Sequence, residues 1–210
     1  MKAVIFDLDG VIVSTDEQHY QGWQALADRL GIAFSREINN RFRGVSRMAC
    51  MDILEEIGGK CYTDHEKIAY ATWKNDYYRN LLGEMSPADL APEVKETLDE
   101  LRNRGYKLAI GSSSKNAKFI LERIGLADYF DAISDGTNIS KSKPDPEVFL
   151  KAAQFLNVSP DECLVVEDAV SGVEAARAGG MRAATVGDAA QKQYGDFILD
   201  SFSQLLTCLK

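Results

Sequence analysis

Two pairs of acidic residues stand directly after short apolar runs of the sequence. Asp7 and Asp9 follow the first run, and Glu167 and Asp168 follow a later one. Carboxylates crowded at one place repel each other unless a cation joins them, and Mg²⁺ prefers oxygen ligands. Aspartate is also common in turns and helix caps, but two separate pairs favour a Mg²⁺ site over that structural role.

Two further segments carry residues that can bind phosphate. The segment 112–114 is a run of three serines, and a helical pattern begins near Lys115, so hydroxyl and backbone N–H groups can face an anion there. An ordinary serine-rich helix cap explains this segment equally well. Lys143 stands in SKSKPDP, where two prolines restrict the backbone. Alone it reads as a surface charge, but beside the acids it could neutralise both them and a phosphate.

The apolar runs predict the strands that hold these residues. They cover 2–6, 107–110, 163–166 and 182–186, and helical periodicity separates them. Strands that alternate with helices predict an α/β core, built on a Rossmann-like parallel sheet with helices on both faces. Ligands of such a sheet bind beyond the carboxyl ends of its strands, where the acids, the serines and the lysine stand.

The long stretch between the first two strands has no strand-like run but several amphipathic helical patterns. We therefore assign residues 1–14 and 86–210 to the catalytic core and residues 15–85 to an inserted helical cap. Ser14 and Glu17 form the pattern of a capping box for the first cap helix, and Gly31 is the predicted stop. Further helices are predicted over 46–58, 63–82 and 92–104.

Composition narrows the class of partner. With 24 basic and 32 acidic residues the formal charge is −8, which disfavours nucleic acid and anionic membranes. The apolar runs are too short to span a membrane, and the amino terminus lacks a signal-peptide pattern. The four cysteines show neither a metal-binding nor a disulfide pattern. We expect a cytoplasmic, monomeric protein that acts on a small molecule.

The segments FDLDGV, SSS, KPDP and VVEDA, in this order, resemble the four core motifs of the haloacid dehalogenase-like superfamily. The resemblance spans the chain and implies that Asp7 is a phosphoryl-accepting nucleophile and that Asp9 is its general acid/base. It also implies that Ser112 and Lys143 bind phosphate. It further implies that Asp7, the Asp9 carbonyl and Asp168 hold Mg²⁺, and Glu167 is a further candidate ligand.

The cap adds a second resemblance. One branch of this superfamily interconverts beta-D-glucose 1-phosphate and D-glucose 6-phosphate through beta-D-glucose 1,6-bisphosphate. Its sequence pattern is similar to three features of this chain: the segment SSSKN, the cap segment RGVSR and several single cap residues. Such a mutase needs a second phosphate site, which Arg47 and residues 114–116 would supply. The substrate-binding residues that the resemblance implies are Thr15, His19, Trp23, Gly44, Val45, Ser46, Arg47, Lys74, Ser112, Ser113, Ser114, Lys115, Asn116 and Lys143.

Several alternatives stay open. His19 alone reads as a polar helix residue, and Trp23 as cap packing. Ser14 and Cys50 depart from the branch's pattern, which leaves the sugar preference undecided. A sugar-phosphate phosphatase would share every core residue, but a mutase would need its cap to close and exclude water. A phosphonate hydrolase would need an imine-forming cap lysine, for which the sequence has no clear counterpart, although Lys74 can be suspected. A non-catalytic sugar-phosphate sensor would not need a nucleophile and an acid/base together.

Overall fold

The computed structural model describes residues 1–42 and 45–209. Its core contains a six-stranded parallel sheet in the order β3-β2-β1-β4-β5-β6. The strands are β1 (Ala3–Phe6), β2 (Lys107–Gly111), β3 (Ala132–Ser134), β4 (Cys163–Glu167), β5 (Arg182–Thr185) and β6 (Phe197–Ile198). The chain adds strands on one side of β1 and then restarts at β4 on the other side. The carboxyl ends of β1 and β4 therefore form the switch point at which such sheets bind ligands.

Both faces of the sheet are buried, as the continuous apolar runs predict. On one face, Ile5 and Val165 belong to a core cluster with Phe149 from a covering helix. On the other face, Phe6 lies 6.3 Å from Phe130 and 6.0 Å from Phe202 between ring centroids. Successive side chains of a strand point to opposite faces, so only a run without polar residues suits this position. The predicted α/β class with helices on both faces is confirmed.

The chain divides into two compact units, residues 15–84 and residues 1–14 with 85–210. Met85 belongs to the larger unit, one residue earlier than the predicted boundary. The smaller unit, the cap, contains α1 (Asp16–Leu30), α2 (Arg36–Asn39), α3 (Arg47–Gly58) and α4 (Asp64–Leu82). The core unit contains α5 (Pro92–Asn103), α6 (Ala117–Arg123), α7 (Glu147–Leu156), α8 (Val170–Ala178), α9 (Gly187–Gln191) and α10 (Leu205–Cys208).

Local capping chemistry sets the ends of the cap helices. The Ser46 side chain accepts a hydrogen bond from Ala49 N at the start of α3, and Gly31 ends α1 in the left-handed region at φ 66°. Thr63 and Glu66 form a complete capping box at the start of α4. These three ends agree with the predicted ones because each depends on residues adjacent in sequence.

Four details of the sequence prediction were wrong. Thr15, not Ser14, precedes α1, and the Glu17 carboxylate pairs with Arg36 at 2.7 Å instead of closing a capping box. The short elements β3, β6 and α2 were not predicted, because so few residues carry no readable periodicity. Strand β5 ends at Thr185, one residue before the predicted end. Helix α6 begins at Ala117, two residues after the predicted start.

A search of the described ranges finds no helix with the length and apolar character that a membrane crossing requires.

The capping box of α4 gives a stability test of the cap. We expect Thr63→Ala to lower the free energy of unfolding by about 1 kcal/mol, because Glu66 N loses its acceptor. The matched control is Thr72→Ala in the same helix, where the hydroxyl bonds only to the Ile68 carbonyl and alanine is the better helix former. Both tryptophans, Trp23 and Trp73, lie in the cap, so tryptophan fluorescence during urea unfolding reports this unit. An equal decrease in the free energy of unfolding in the two variants would contradict the prediction.

Candidate active site

Three carboxylates meet where β1 and β4 end in the core unit. Asp7 directly follows β1, Glu167 is the last residue of β4, and Asp168 comes next. One oxygen from each of the three side chains lies within 4.8 Å of the other two. Parallel neighbouring strands bring their carboxyl ends to the same edge, which explains how residues 160 positions apart become neighbours.

One lysine joins two of these carboxylates. Lys143 Nζ donates to Asp7 Oδ1 at 2.6 Å and to Glu167 Oε1 at 2.5 Å, and it lies 4.6 Å from the centre of the Phe149 ring. The other Glu167 oxygen accepts hydrogen bonds from Asp168 N and Ala169 N, both at 2.9 Å. Glu167 is thus fully engaged within the protein. It holds Lys143 and the turn after β4.

Burial and crowding shift the ionisation of the site. Burial raises the pKa of Asp7 to about 7, although the contact with Lys143 opposes the rise. Burial also raises the pKa of Asp168 to about 8, and the charges of Glu167, Asp7 and Asp9 add to the effect. Burial would lower the pKa of Lys143, but the two carboxylates hold it above its ordinary value. A single lysine therefore leaves this group of acids short of positive charge.

The Asp168 carboxylate lies in close contact with the backbone of Gly10. Gly10 has a φ of +81°, and a Cβ there would lie 2.2 Å from Asp168 Oδ2. Any other residue would push the carboxylate out of the site. Asp9 follows Asp7 in this same turn and its charge raises the pKa of both Asp7 and Asp168, but its side chain does not join the three-carboxylate group. Of the four predicted metal ligands, the structure therefore brings three side chains together.

Residues 112–116, the phosphate loop, follow β2. Two of its serine hydroxyl groups accept hydrogen bonds from backbone N–H groups of the same loop. Ser112 is buried and its Oγ accepts from Ser114 N at 3.2 Å, while Ser114 Oγ accepts from Asn116 N at 3.1 Å. The Lys115 side chain is exposed, and Asn116 is buried. Ser113 Oγ is buried and, among the described residues, has no hydrogen-bond partner.

A second polar group lies inside the cap unit. Lys74 is only 3% exposed, and its Nζ lies 3.0 Å from His19 Nδ1. The ammonium group also lies over the rings of Trp23 and Tyr78, at 4.8 and 4.6 Å from their centres. Tyr78 stacks on His19 at 4.1 Å between ring centroids and donates to Thr15 Oγ1 at 2.9 Å. We call these five residues the cap cluster.

The histidine of the cap cluster is neutral. Burial lowers the pKa of His19 well below its ordinary value, and the positive charges of Lys74 and Arg47 lower it further. A neutral imidazole can accept a hydrogen bond at Nδ1, so Lys74 donates to it. The charge of the pair therefore stays on the lysine.

The other predicted cap residues lie around the start of α3. Arg47 donates to Asn75 Oδ1 at 2.8 Å, Ser46 caps the helix, and Val45 is exposed. The prediction for Gly44 falls outside the described residues. Trp23 is 4% exposed and meets the edge of Phe42 at 5.0 Å, so it also packs the cap interior.

Sequence reasoning missed Tyr78, which links Thr15 and His19. Its signal was available, because Tyr78 follows Lys74 by four residues on one helix and such residues share a face. The turn after β3, which lies against the phosphate loop, was missed together with its short strand.

Comparison with known proteins places this chain among phosphoryl-transfer enzymes. The Bacillus subtilis (strain 168) protein named beta-phosphoglucomutase is 41% identical over 207 residues, which are 98% of this chain and 92% of that protein. The crystal structure of beta-phosphoglucomutase from Clostridium difficile superposes with a TM-score of 0.89 at 37% identity, covering 98% of this chain and 93% of that one. A phosphorylated carbohydrates phosphatase of Thermotoga maritima is 32% identical over 184 residues, 86% of this chain and 82% of that protein.

The family model of the haloacid dehalogenase-like hydrolases matches residues 1–180. That range includes every core motif from FDLDGV to VVEDA. This chain belongs to the haloacid dehalogenase-like hydrolase family.

Proposed function

We propose that this chain is a beta-phosphoglucomutase, which interconverts beta-D-glucose 1-phosphate and D-glucose 6-phosphate through beta-D-glucose 1,6-bisphosphate. The observation that carries the proposal is the presence of two separate cations, Lys143 in the core unit and Arg47 in the cap unit. A bisphosphate needs cations for two phosphates, whereas a monophosphate needs them for one. The likeness to named beta-phosphoglucomutases over nearly the whole chain supports the same choice.

Asp7 and Asp9 divide the chemistry between them. An oxygen of Asp7 attacks the phosphorus atom, the bond from phosphorus to the sugar oxygen breaks, and Asp9 protonates that leaving oxygen. In reverse, Asp9 removes the proton of a sugar hydroxyl, which attacks the aspartyl phosphate. Lys143, held by Asp7 and Glu167, neutralises negative charge at the carboxylate and at the transferred group. Transfer to one sugar oxygen and removal from the other makes the net reaction an isomerisation.

The three-carboxylate group fits Mg²⁺. Its oxygens lie within 4.8 Å of one another, and the raised pKa values of Asp7 and Asp168 mark a place that lacks positive charge. Asp7 and Asp168 would hold the ion with the Asp9 carbonyl, while Glu167 is occupied by Lys143 and two backbone N–H groups. When bound, Mg²⁺ supplies charge neutralisation at the phosphoryl oxygens.

In the cap, Arg47 is proposed to bind the second phosphate and the cap cluster to bind sugar hydroxyls. The Cys50 thiol faces the carbonyl oxygens of Val45 and Phe42, at 3.7 and 3.8 Å. The Cys50 thiol therefore supports the backbone at Phe42 and Val45. Burial raises its pKa to about 12, so it stays a thiol.

Replacement of the nucleophile separates chemistry from folding. We expect Asp7→Asn to reduce isomerisation and phosphate release by on the order of 10⁴-fold or more, because an amide cannot accept a phosphoryl group. The folded state raises the Asp7 pKa, so its ionisation above pH 7 opposes folding, and the variant should be no less stable at pH 8. Substantial turnover by a purified, folded Asp7→Asn protein would refute the assignment. Thermal unfolding at pH 8 checks the fold.

If Asp7 and Asp168 hold Mg²⁺, both a substitution and a change of pH should alter the Mg²⁺ affinity. We expect Asp168→Asn to weaken Mg²⁺ binding at least as much as the roughly 10- to 100-fold typical of second-shell changes. In the wild type, Mg²⁺ affinity should rise between about pH 6 and about pH 9 and then level off, because protons occupy Asp7 and Asp168 below pKa values of about 7 and about 8. Titration calorimetry measures both.

The control for this titration is Asp128→Asn, which changes an exposed aspartate of the core unit. It should leave Mg²⁺ affinity unchanged. An affinity that does not vary with pH, or that survives the Asp168 change, would remove this residue from the metal site.

The proposed second phosphate contact distinguishes a mutase from a phosphatase. We expect Arg47→Ala to slow isomerisation of beta-glucose 1-phosphate by roughly 30-fold or more, since losing one member of a desolvated charge pair costs about 2 kcal/mol or more. Hydrolysis of a small phosphorylated compound, which needs only the core residues, should fall far less. The measurement follows glucose 6-phosphate and free phosphate in the same reaction.

The matched control is Arg41→Ala, because Arg41 is an exposed cap arginine paired with Glu56 at 2.7 Å. It should isomerise as the wild type does. If Arg47→Ala also isomerises at the wild-type rate, Arg47 serves cap packing and a sugar-phosphate phosphatase becomes the better function.

A further inference from the structure

The turn formed by residues 134–138, the supporting turn, lies directly against the phosphate loop. Ser134 and Asp135 are fully buried, and the first contact is a backbone hydrogen bond from Ser112 N to Ser134 O at 3.0 Å. The second is a bond from Gly136 N to Ser114 O at 3.1 Å. The two contacts hold different parts of the phosphate loop.

Gly136 fits so closely that no side chain has room. A Cβ at this position would lie 2.4 Å from Ser113 O and 2.8 Å from Lys115 N, both of which are backbone atoms. Such atoms cannot rotate away as the end of a side chain can. A residue larger than glycine must therefore displace the segment from Ser113 to Lys115, whereas Ser112 is held separately by Ser134.

The contact also sets the direction of one peptide group. Gly136 N–H points the Ser114 carbonyl toward the supporting turn. In a planar trans peptide the C=O and N–H bonds point in opposite directions, so the Lys115 N–H is directed away from the turn. If this peptide group rotated, a carbonyl oxygen would face that direction instead and repel an anion.

Asp135 holds the turn in this shape. Its Oδ1 accepts hydrogen bonds from Thr137 N at 2.9 Å and from Thr137 Oγ1 at 2.5 Å, and its carbonyl accepts from Asn138 N at 3.0 Å. Its Oδ2 is buried and, like Ser113 Oγ, finds no hydrogen-bond partner within the described ranges. Unmatched buried polar atoms cost free energy, and their presence here favours a functional role over simple packing.

We propose that Asp135 and Gly136 are positioning residues for the second phosphate. They fix the Ser114–Lys115 peptide group, and through it the half of the phosphate loop that binds this phosphate. The inference rests on the proposed function, in which residues 114–116 contact the second phosphate and Ser112 the transferred one. It accounts for the contact pattern, because the atoms nearest to a Cβ at Gly136 and the acceptor of its N–H belong to Ser113, Ser114 and Lys115.

The test measures binding in an Asp7→Asn background, which cannot be phosphorylated, so that binding is separated from turnover. Gly136→Ala and Asp135→Asn are each added, and affinities for beta-glucose 1,6-bisphosphate and glucose 6-phosphate are measured by calorimetry with Mg²⁺. The matched control is Gly179→Ala, where a Cβ meets its nearest neighbours at an ordinary 3.4 Å. With Asp7 intact, the same variants are assayed on a small aryl phosphate.

We expect bisphosphate affinity to fall about tenfold or more in both variants, the effect of weakening a charge-assisted hydrogen bond. This loss should exceed any loss in aryl phosphate turnover by about the same factor, and Gly179→Ala should match its parent. A merely structural role would lower both together. If Gly136→Ala does not fold, as thermal unfolding will show, Asp135→Asn keeps the side chain's size and decides the outcome.

Unchanged bisphosphate affinity in the folded variants would overturn the inference, and so would equal losses in binding and aryl phosphate turnover. A parent protein that binds the bisphosphate no better than glucose 6-phosphate would also overturn it, because there would be no second phosphate contact to position. Failure of the proposed function looks different. In that case the wild type releases phosphate without isomerisation. The bisphosphate affinities of the variants and their parent still show whether Asp135 and Gly136 position the loop.

Discussion

The shortage of positive charge around Asp7 is the constraint on which the active site depends. Four acidic residues, Asp7, Asp9, Glu167 and Asp168, interact at the ends of β1 and β4, and one buried lysine lies among them. Lys143 offsets part of the repulsion and holds two of the carboxylates. Burial, together with the remaining repulsion, raises the pKa of Asp7 and Asp168. A divalent cation at this place, with the lysine, would offset that charge and the charge of a phosphate.

The parallel sheet makes this arrangement possible. Its central strands are buried on both faces, so their polar neighbours must lie beyond the strand ends, and the switch point between β1 and β4 leaves space there. Glycines at two positions permit the required approach, Gly10 beside Asp168 and Gly172 beside Glu167. The same logic applies to Gly136 beside the phosphate loop. The geometry of the core unit therefore relies on glycines whose backbone lies closer to a carboxylate or to another backbone segment than a Cβ would allow.

The cap unit handles charge differently. Lys74 is almost fully buried, and its ammonium group lies between aromatic rings and a neutral histidine. Because burial and the neighbouring cations lower the pKa of His19, that side chain accepts a hydrogen bond and adds no charge. The arrangement keeps the lysine charge away from water, where the aromatic rings and the imidazole surround it.

The sequence by itself determined the fold class, the long elements and the motif residues, since each depends on local signals. Continuous apolar runs predicted the long strands, and Ser46, Thr63 and Gly31 marked helix ends through contacts with adjacent residues. The sequence could not show that Lys143 bonds to Glu167 as well as to Asp7. Nor could it show Gly136 against the phosphate loop. These contacts join residues far apart in the chain, so packing and strand order, which act only in the folded molecule, decided them.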